Sequence, residues 1–240
     1  MIYRVEPEVF ARFPHFCRGI VVARGIDNSR ADFAIPQLLS EQVERIRSAS
    51  ASLPFHPRLA AWHRVYRDFG VDAEKHSSAL SVLVQRIGRA EPLPRVSPVV
   101  DLLNWISLKH LVPAGGDCVD GITGDLTLGL ARGREEFSSL ARPEITEHPE
   151  PGEVIYVNRR SNRVLCRRWN SCNADFSKIT RDTRSVVVNV DALTAVISRE
   201  ELESATEALA HWILRTCHGV VSTHYLDRHR FEAEIRKSAA

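Results

Sequence analysis

Residues 97–128 read SPVVDLLNWISLKHLVPAGGDCVDGITGDLTL. The first half is a helix by its ends and its spacing. Ser97 suits an N-cap and Pro98 the first helical position, where a missing N–H costs nothing. From Val99 to Leu108 nearly every face is apolar: Val99, Val100, Leu102, Leu103, Trp105, Ile106 and Leu108. A helix that is apolar all round is buried. Asp101, Asn104 and Ser107 interrupt it at successive i+3 steps and so form one polar track. Buried polar groups need partners, so the track is either a set of satisfied core hydrogen bonds or the wall of a site.

Past Leu111 the chain enters a stretch, 113–125, expected to be a loop. Asp117, Asp120 and Asp125 stand there with Gly115, Gly116, Gly121 and Gly124. Aspartate beside glycine is first of all turn chemistry. This loop, however, leaves the end of a buried polar helix, where a pocket would open. Acidic groups in it would attract an amino group or a guanidinium.

Working outward, residues 1–35 are expected to hold a short helix and then a strand, Gly19–Arg24. Helices follow near 37–49, 57–69 and 73–87; Leu80, Leu83, Val84 and Ile87 are spaced to bury one face of the last. Three prolines make 91–98 a connector. Valine-rich strands are expected at about 125–131, 153–158, 163–168 and 184–190, with NRRSNR (158–163) turning between the middle pair. Ser198 and Glu201 form a capping box for a helix that Gly219 ends, and a charged helix is expected over 221–238. These elements predict an α+β fold: a mixed sheet or partial barrel with flanking helices, in one domain spanning 1–240.

Bulk properties narrow the function. With 44% hydrophobic and 26% charged residues the chain reads as globular rather than disordered. No segment has the apolar length of a membrane helix, and the charged N-terminus does not read as a signal peptide; a cytoplasmic location is expected. The five cysteines are scattered without a CxxC pair, which indicates neither a disulfide framework nor a zinc ribbon. Cys217, His218, His224 and His229 match no recurring zinc spacing, so no metal is expected. The glycine patterns of nucleotide loops, GxSxG and HExxH are all missing, and no cofactor is expected. A net charge of +2 gives no general attraction to nucleic acid. The charge is uneven, though: Arg159, Arg160, Arg163, Arg167, Arg168, Lys178, Arg181 and Arg184 face only Asp175 and Asp182 over the same span. Such a stretch is a candidate phosphate contact.

The wording of several segments adds a resemblance. KHSSALSVLVQR (75–86), PLP (92–94), VDLLNWISL (100–108), PGEVIY (151–156), CRRWN (166–170) and TRDT (180–183) occur in this order. Together they resemble the B3/B4 domain of the phenylalanyl-tRNA synthetase β subunit in its free-standing form, over roughly residues 60–195. VVDLLNWISLKHLVPAGGDCVD resembles the family pattern NxVVDVTNYVMLExGQPLHAFD, which places Asn104 at the asparagine of the editing pocket and matches Asp101 and Asp120. The histidine of PLHAFD has no counterpart, because the matching stretch, Pro113–Asp120, is longer by two and lacks it. Arginines replace small residues of the family's ALAGVMGG-like segment, so that pocket wall must differ.

The resemblance implies a trans-acting editing hydrolase that deacylates mischarged aminoacyl-tRNA. Asn104 and Ser107 would position the ester or the water. Asp117, Asp120, Asp101 and Gly116 would hold the amino acid, and Arg167, Arg168, Lys178 and Arg181 would meet the acceptor end of the tRNA. Some free-standing relatives resemble deacylases that clear tRNA(Arg) charged with canavanine, a substrate an acidic pocket would suit. The implied partners are tRNA and an aminoacyl-tRNA synthetase, with no DNA and no membrane. A non-catalytic module that binds tRNA or a synthetase is the alternative, and an enzyme acting on free amino acids is a third reading. The pocket is expected between helix 98–111, loop 113–125 and strands 163–168 and 184–190.

Overall fold

A computed structural model describes residues 1–30, 32, 34–72 and 76–235. In chain order the elements are β1 (Ile2–Val5), α1 (Pro7–Arg12), β2 (Phe16–Arg24), α2 (Ala34–Ser48), α3 (Pro57–Asp68), α4 (Ala79–Gly88) and α5 (Pro98–His110). They continue with β3 (Ala114–Cys118), β4 (Leu126–Leu130), β5 (Phe137–Ser139), β6 (Arg142–Glu147), β7 (Val154–Asn158), β8 (Arg163–Arg167), β9 (Cys172–Asn173), β10 (Ser185–Leu193), α6 (Arg199–Cys217), β11 (Val220–Leu226) and β12 (Glu232–Glu234).

Two sheets face each other. One runs β12-β1-β4-β7-β8-β9 and the other β11-β2-β10-β3, with a small β5–β6 ribbon apart from both. Pairing is antiparallel except between β1 and β4. The sheets are open, so the fold is α+β and mixed, with no closed barrel among the described residues.

Alternation along the two long strands explains the layers. On β10, Val186, Val188, Val190 and Ala192 join a core with α2, α5 and α6, whereas Val187 and Leu193 join the core between the sheets. On β2, Val21 and Ala23 face the helices and Phe16, Ile20 and Val22 face the opposite sheet. A sheet covered on both faces needs apolar residues at both parities, and FCRGIVVAR and SVVVNVDAL supply them. The exceptions on the inner face are Arg18, Asn189 and Asp191, all buried. They mark the place where the site lies.

Helix α5 forms with the ends its sequence called for. The Ser97 hydroxyl accepts from the Val100 N–H at 3.4 Å, and Leu111 closes the helix in the left-handed conformation at φ 50°. Ser198 and Glu201 make their capping box. Four expectations are corrected. A strand, β1, precedes the first helix. Helix α4 begins at Ala79, where Ser78 caps it by accepting from Ser81; residues 73–75 of the expected helix lie outside the described residues. Within 113–125, Ala114–Cys118 is a strand paired with Val186–Val190. Glycine and aspartate have low strand propensity, and the valine-rich neighbour imposes the strand. The expected C-terminal helix over 221–238 is instead β11 and β12 as far as residue 235, with 236–240 outside the described residues. Val220, Val221, Thr223 and Tyr225 are the β-branched and aromatic residues that suit that edge position.

Candidate functional site

Helix α5 and strand β3 meet at Pro113, and a cleft of about 420 Å³ opens beside the junction. Val100, Leu103 and Asn104 form one wall, Ala114, Gly115 and Gly116 the floor, and Ala79, Val82 and Leu83 of α4 the side. The segment Asn170–Thr180, with Val96 and Leu140, completes the rim. The strands expected to line it, β8 and β10, reach only a smaller inner chamber of about 60 Å³ through Cys166, Asn189 and Asp191. Cleft and chamber share Ala79, Ala114, Gly115, Gly116, Asn170 and Asn173.

The floor is glycine for two reasons. A Cβ at Gly116 would come within 2.4 Å of Val188, so the pairing of β3 with β10 requires its absence. A Cβ at Gly115 would meet nothing within 4 Å. The residue lines both the cleft and the chamber, where a side chain would take up open space.

The polar track divides residue by residue. Asn104 is half-buried, lines the cleft, and its amide makes no hydrogen bond to a described residue. Ser107 is wholly buried, and its hydroxyl accepts the Ala114 N–H at 3.0 Å. It splices the helix to β3 and does not reach the cleft, contrary to the catalytic expectation. Asp101 is also off the cleft, ion-paired with Arg95 at 2.8 Å. Burial raises its carboxyl above the usual range and Arg95 opposes the rise.

The acids of 113–125 diverge for the same topological reason: residues on a strand alternate, and the chain turns after Cys118. Asp117 faces the chamber, nearly fully buried, and accepts the Ser177 hydroxyl at 2.7 Å. Burial pushes its carboxyl up to about 7, although the Ser177 hydrogen bond and Arg18 pull it down. Asp120 is exposed and accepts the Arg184 N–H at 2.7 Å, on another depression with Arg163 and Phe176. It is a turn residue and is not part of the cleft.

The basic residues separate too. Arg167, expected at the RNA, is buried: Glu153 takes its Nε at 3.0 Å and its NH2 at 2.7 Å, and Glu147 its NH1 at 2.7 Å. A guanidinium held by two carboxylates has no fork left for a phosphate. Arg168 opens onto a separate depression with Arg12 and His76. Lys178, paired with Asp175, lines the cleft. Arg181 is exposed next to the Val96 carbonyl of the rim.

Several chamber residues escaped the sequence reading. Arg18 gives Nε to Asp191 at 2.6 Å and NH2 at 2.9 Å. Burial works against the Arg18 charge, but Asp191 and Tyr3 outweigh it and hold the guanidinium above its ordinary range. Asn170 gives its amide to Asp191 at 3.0 Å and accepts from the Tyr66 hydroxyl at 2.9 Å. Tyr156 and Trp169 border the chamber with hydroxyl and indole N–H unpartnered among the described residues. Arg168 and Trp169 are consecutive non-glycine residues at φ 49° and 67°. Such backbone costs about 1–2 kcal/mol per residue and persists where surroundings fix it; here Trp169 is locked among Phe13, Phe16 and Trp62. A usable signal lay in VVVNVDA: two polar residues at i and i+2 of a buried strand must share one face.

The profile of the B3/4 domain family matches residues 61–218. The chain belongs to that family. Helix α5, strand β3 and both walls of the cleft fall inside the matched span, whereas Arg18 lies outside it. Among solved structures, an N-terminal fragment of the phenylalanyl-tRNA synthetase β subunit from Pyrococcus horikoshii is similar at 13% identity and a TM-score of 0.46. The likeness covers 91% of this B3/4 chain and 49% of that fragment, so the chain spans about half the length of its structural neighbour. No curated protein matches the sequence. Among the described residues of this B3/4 protein, no helix is long and apolar enough to cross a membrane. No group of three or more His, Cys, Asp or Glu among them stands ready to hold a metal ion. All five cysteines are free thiols.

Proposed function

We propose that this B3/4 chain is a trans-editing hydrolase that cleaves the ester between a wrong amino acid and the terminal ribose of tRNA in the cytoplasm. The observation that carries the reading is Asn104, an amide without a partner among the described residues, facing a cleft of about 420 Å³. An aminoacyl ester is intrinsically labile. The protein has to hold it, orient a water and stabilise the developing oxyanion. A carboxamide suits that work, because its NH₂ donates to an oxyanion and its oxygen accepts from water. Lys178 and Arg181, at the rim, would meet the phosphates of the acceptor end. The expectation of a cationic amino acid, such as an arginine analogue on tRNA(Arg), now rests on Asp117 alone among the three expected acids.

Binding of tRNA or a synthetase without hydrolysis is the second reading, and one observation favours it. No histidine lines the cleft or the chamber among the described residues. Deacylation of a panel of mischarged tRNAs by the purified protein separates the two. The parent should release at least one amino acid, and Asn104→Ala should slow that release on the order of a hundredfold with an unchanged melting temperature. A parent that binds tRNA yet releases nothing from the whole panel establishes the second reading.

A further inference from the structure

The chamber holds buried polar atoms that the fold leaves unanswered, and their chemistry restricts what can answer them. Most polar groups around it are committed to one another. Arg18 is taken by Asp191 and Tyr3, Asn170 by Asp191 and Tyr66, and Asn189 by Tyr3. Among the fully buried atoms of the described residues, the exceptions there are the Trp169 indole N–H and the Tyr156 hydroxyl, in side chains 1% and 2% exposed. The Tyr3 hydroxyl, which donates to Asn189 and accepts from Arg18, lies near that of Tyr156 with a lone pair to spare, but the two hydroxyls do not meet in hydrogen-bond geometry. Asp117 stands beside them with one carboxyl oxygen bonded to Ser177. Native structures rarely leave such atoms without a partner. Gly115 lines both the chamber and the cleft.

We propose that the chamber is a recognition subsite for a small uncharged group that both accepts and donates hydrogen bonds, a carboxamide or hydroxyl at the end of a side chain entering from the cleft. An indole N–H only donates, so its partner must bring a lone pair. An ammonium or a guanidinium carries none, and each would enter beside Arg18. A carboxylate has lone pairs but would place a third carboxyl group next to Asp117 and Asp191, whose only buried counter-charge among the described residues is Arg18. A carboxamide gives its oxygen to Trp169 and its NH₂ to Asp117 or Tyr156. An apolar isostere leaves all of them unmet. The inference rests on the cleft being where the amino acid enters, and it narrows the class of amino acid edited.

The test titrates the full chain with L-glutamine, L-serine, L-leucine, L-glutamate and L-lysine, following the assigned Trp169 indole N–H resonance. The same amino acids are offered in parallel as esters on tRNA. Glutamine or serine should move the resonance and bind on the order of tenfold tighter than leucine, glutamate or lysine. Tyr156→Phe, which deletes a hydroxyl with no well-formed hydrogen bond among the described residues, should keep the fold and reduce that preference. Tightest binding by lysine or glutamate, an equal response to leucine, or no movement with any of the five overturns the subsite. The ester arm reports separately. Hydrolysis without an indole response leaves the editing reading standing and removes the subsite, and an indole response without hydrolysis does the reverse.

Discussion

Successive residues of β8, Cys166 and Arg167, face two buried polar regions of opposite character. On the outer face, Arg167, Glu153 and Glu147 satisfy one another, with Glu153 also taking the Arg168 N–H at 3.0 Å. On the inner face, Cys166 borders a chamber in which the Tyr156 hydroxyl and the Trp169 indole N–H have no well-formed partner among the described residues. Both regions sit where desolvation is costly. A closed network fixes the packing of a strand and a ribbon, and an open one leaves capacity for a ligand. Charge in the sequence does not distinguish them; partner count in the fold does.

The largest expected effect is on the closed side. Arg167→Ala should destabilise the protein by about 3–5 kcal/mol, because Glu153 would remain buried without its counter-charge. Urea unfolding measures this directly. Parent-like stability combined with weaker tRNA binding and a flatter salt dependence would make Arg167 a phosphate contact after all, and the two regions would no longer differ in kind.

Next comes the pH dependence of the open side. The Asp117 carboxyl, ordinarily near 3.8, is raised to about 7 in the fold. The folded state therefore keeps a proton that the unfolded chain has released. Its stabilising contribution is fully present below about 4 and is lost as pH rises through about 7. The contribution amounts to a few kcal/mol at most, because each tenfold difference in proton affinity is worth about 1.4 kcal/mol. Asp117→Asn should flatten this part of the stability profile relative to the parent. An unaltered slope would mean that Asp117 is ionised throughout, and the chamber would then favour a cation.

Legibility in the sequence follows the same division. Helix α5 was legible because its caps and apolar faces are local, and β7, β8 and β10 because valine-rich strands announce themselves. Strand β3 was not, since AGGDC acquires its conformation from a partner about seventy residues away in sequence. Asn104 was legible as one of three track residues, but nothing local separates it from Ser107, whose partner, the Ala114 N–H, exists only once β3 has formed. Asp117 and Asp120 stand in one glycine–aspartate stretch, and it takes strand alternation and the following turn to send them to different faces. Arg18 and Tyr156 carried no signal at all, because their importance depends on which two sheets face each other.

The smallest effect gives the finest discrimination. Tyr3 and Tyr156 pack with ring centroids 5.3 Å apart and planes tilted by 34°, and both are buried. The Tyr3 hydroxyl donates to Asn189 at 2.7 Å and accepts from Arg18. Tyr3→Phe strips a partner from each and should cost about 1–3 kcal/mol. Tyr156→Phe removes an oxygen that makes no well-formed hydrogen bond among the described residues, so stability should stay within about 0.5 kcal/mol of the parent or rise slightly, since a buried polar atom without a partner is itself destabilising. Thermal and urea unfolding of the two variants side by side cancel the shared loss of a hydroxyl on neighbouring rings and leave only the difference in partners. Equal costs would show that Tyr156 is bonded in the folded protein, by an ordered water or by Tyr3. The chamber would then be a closed network like that of Arg167, with no capacity left for a ligand.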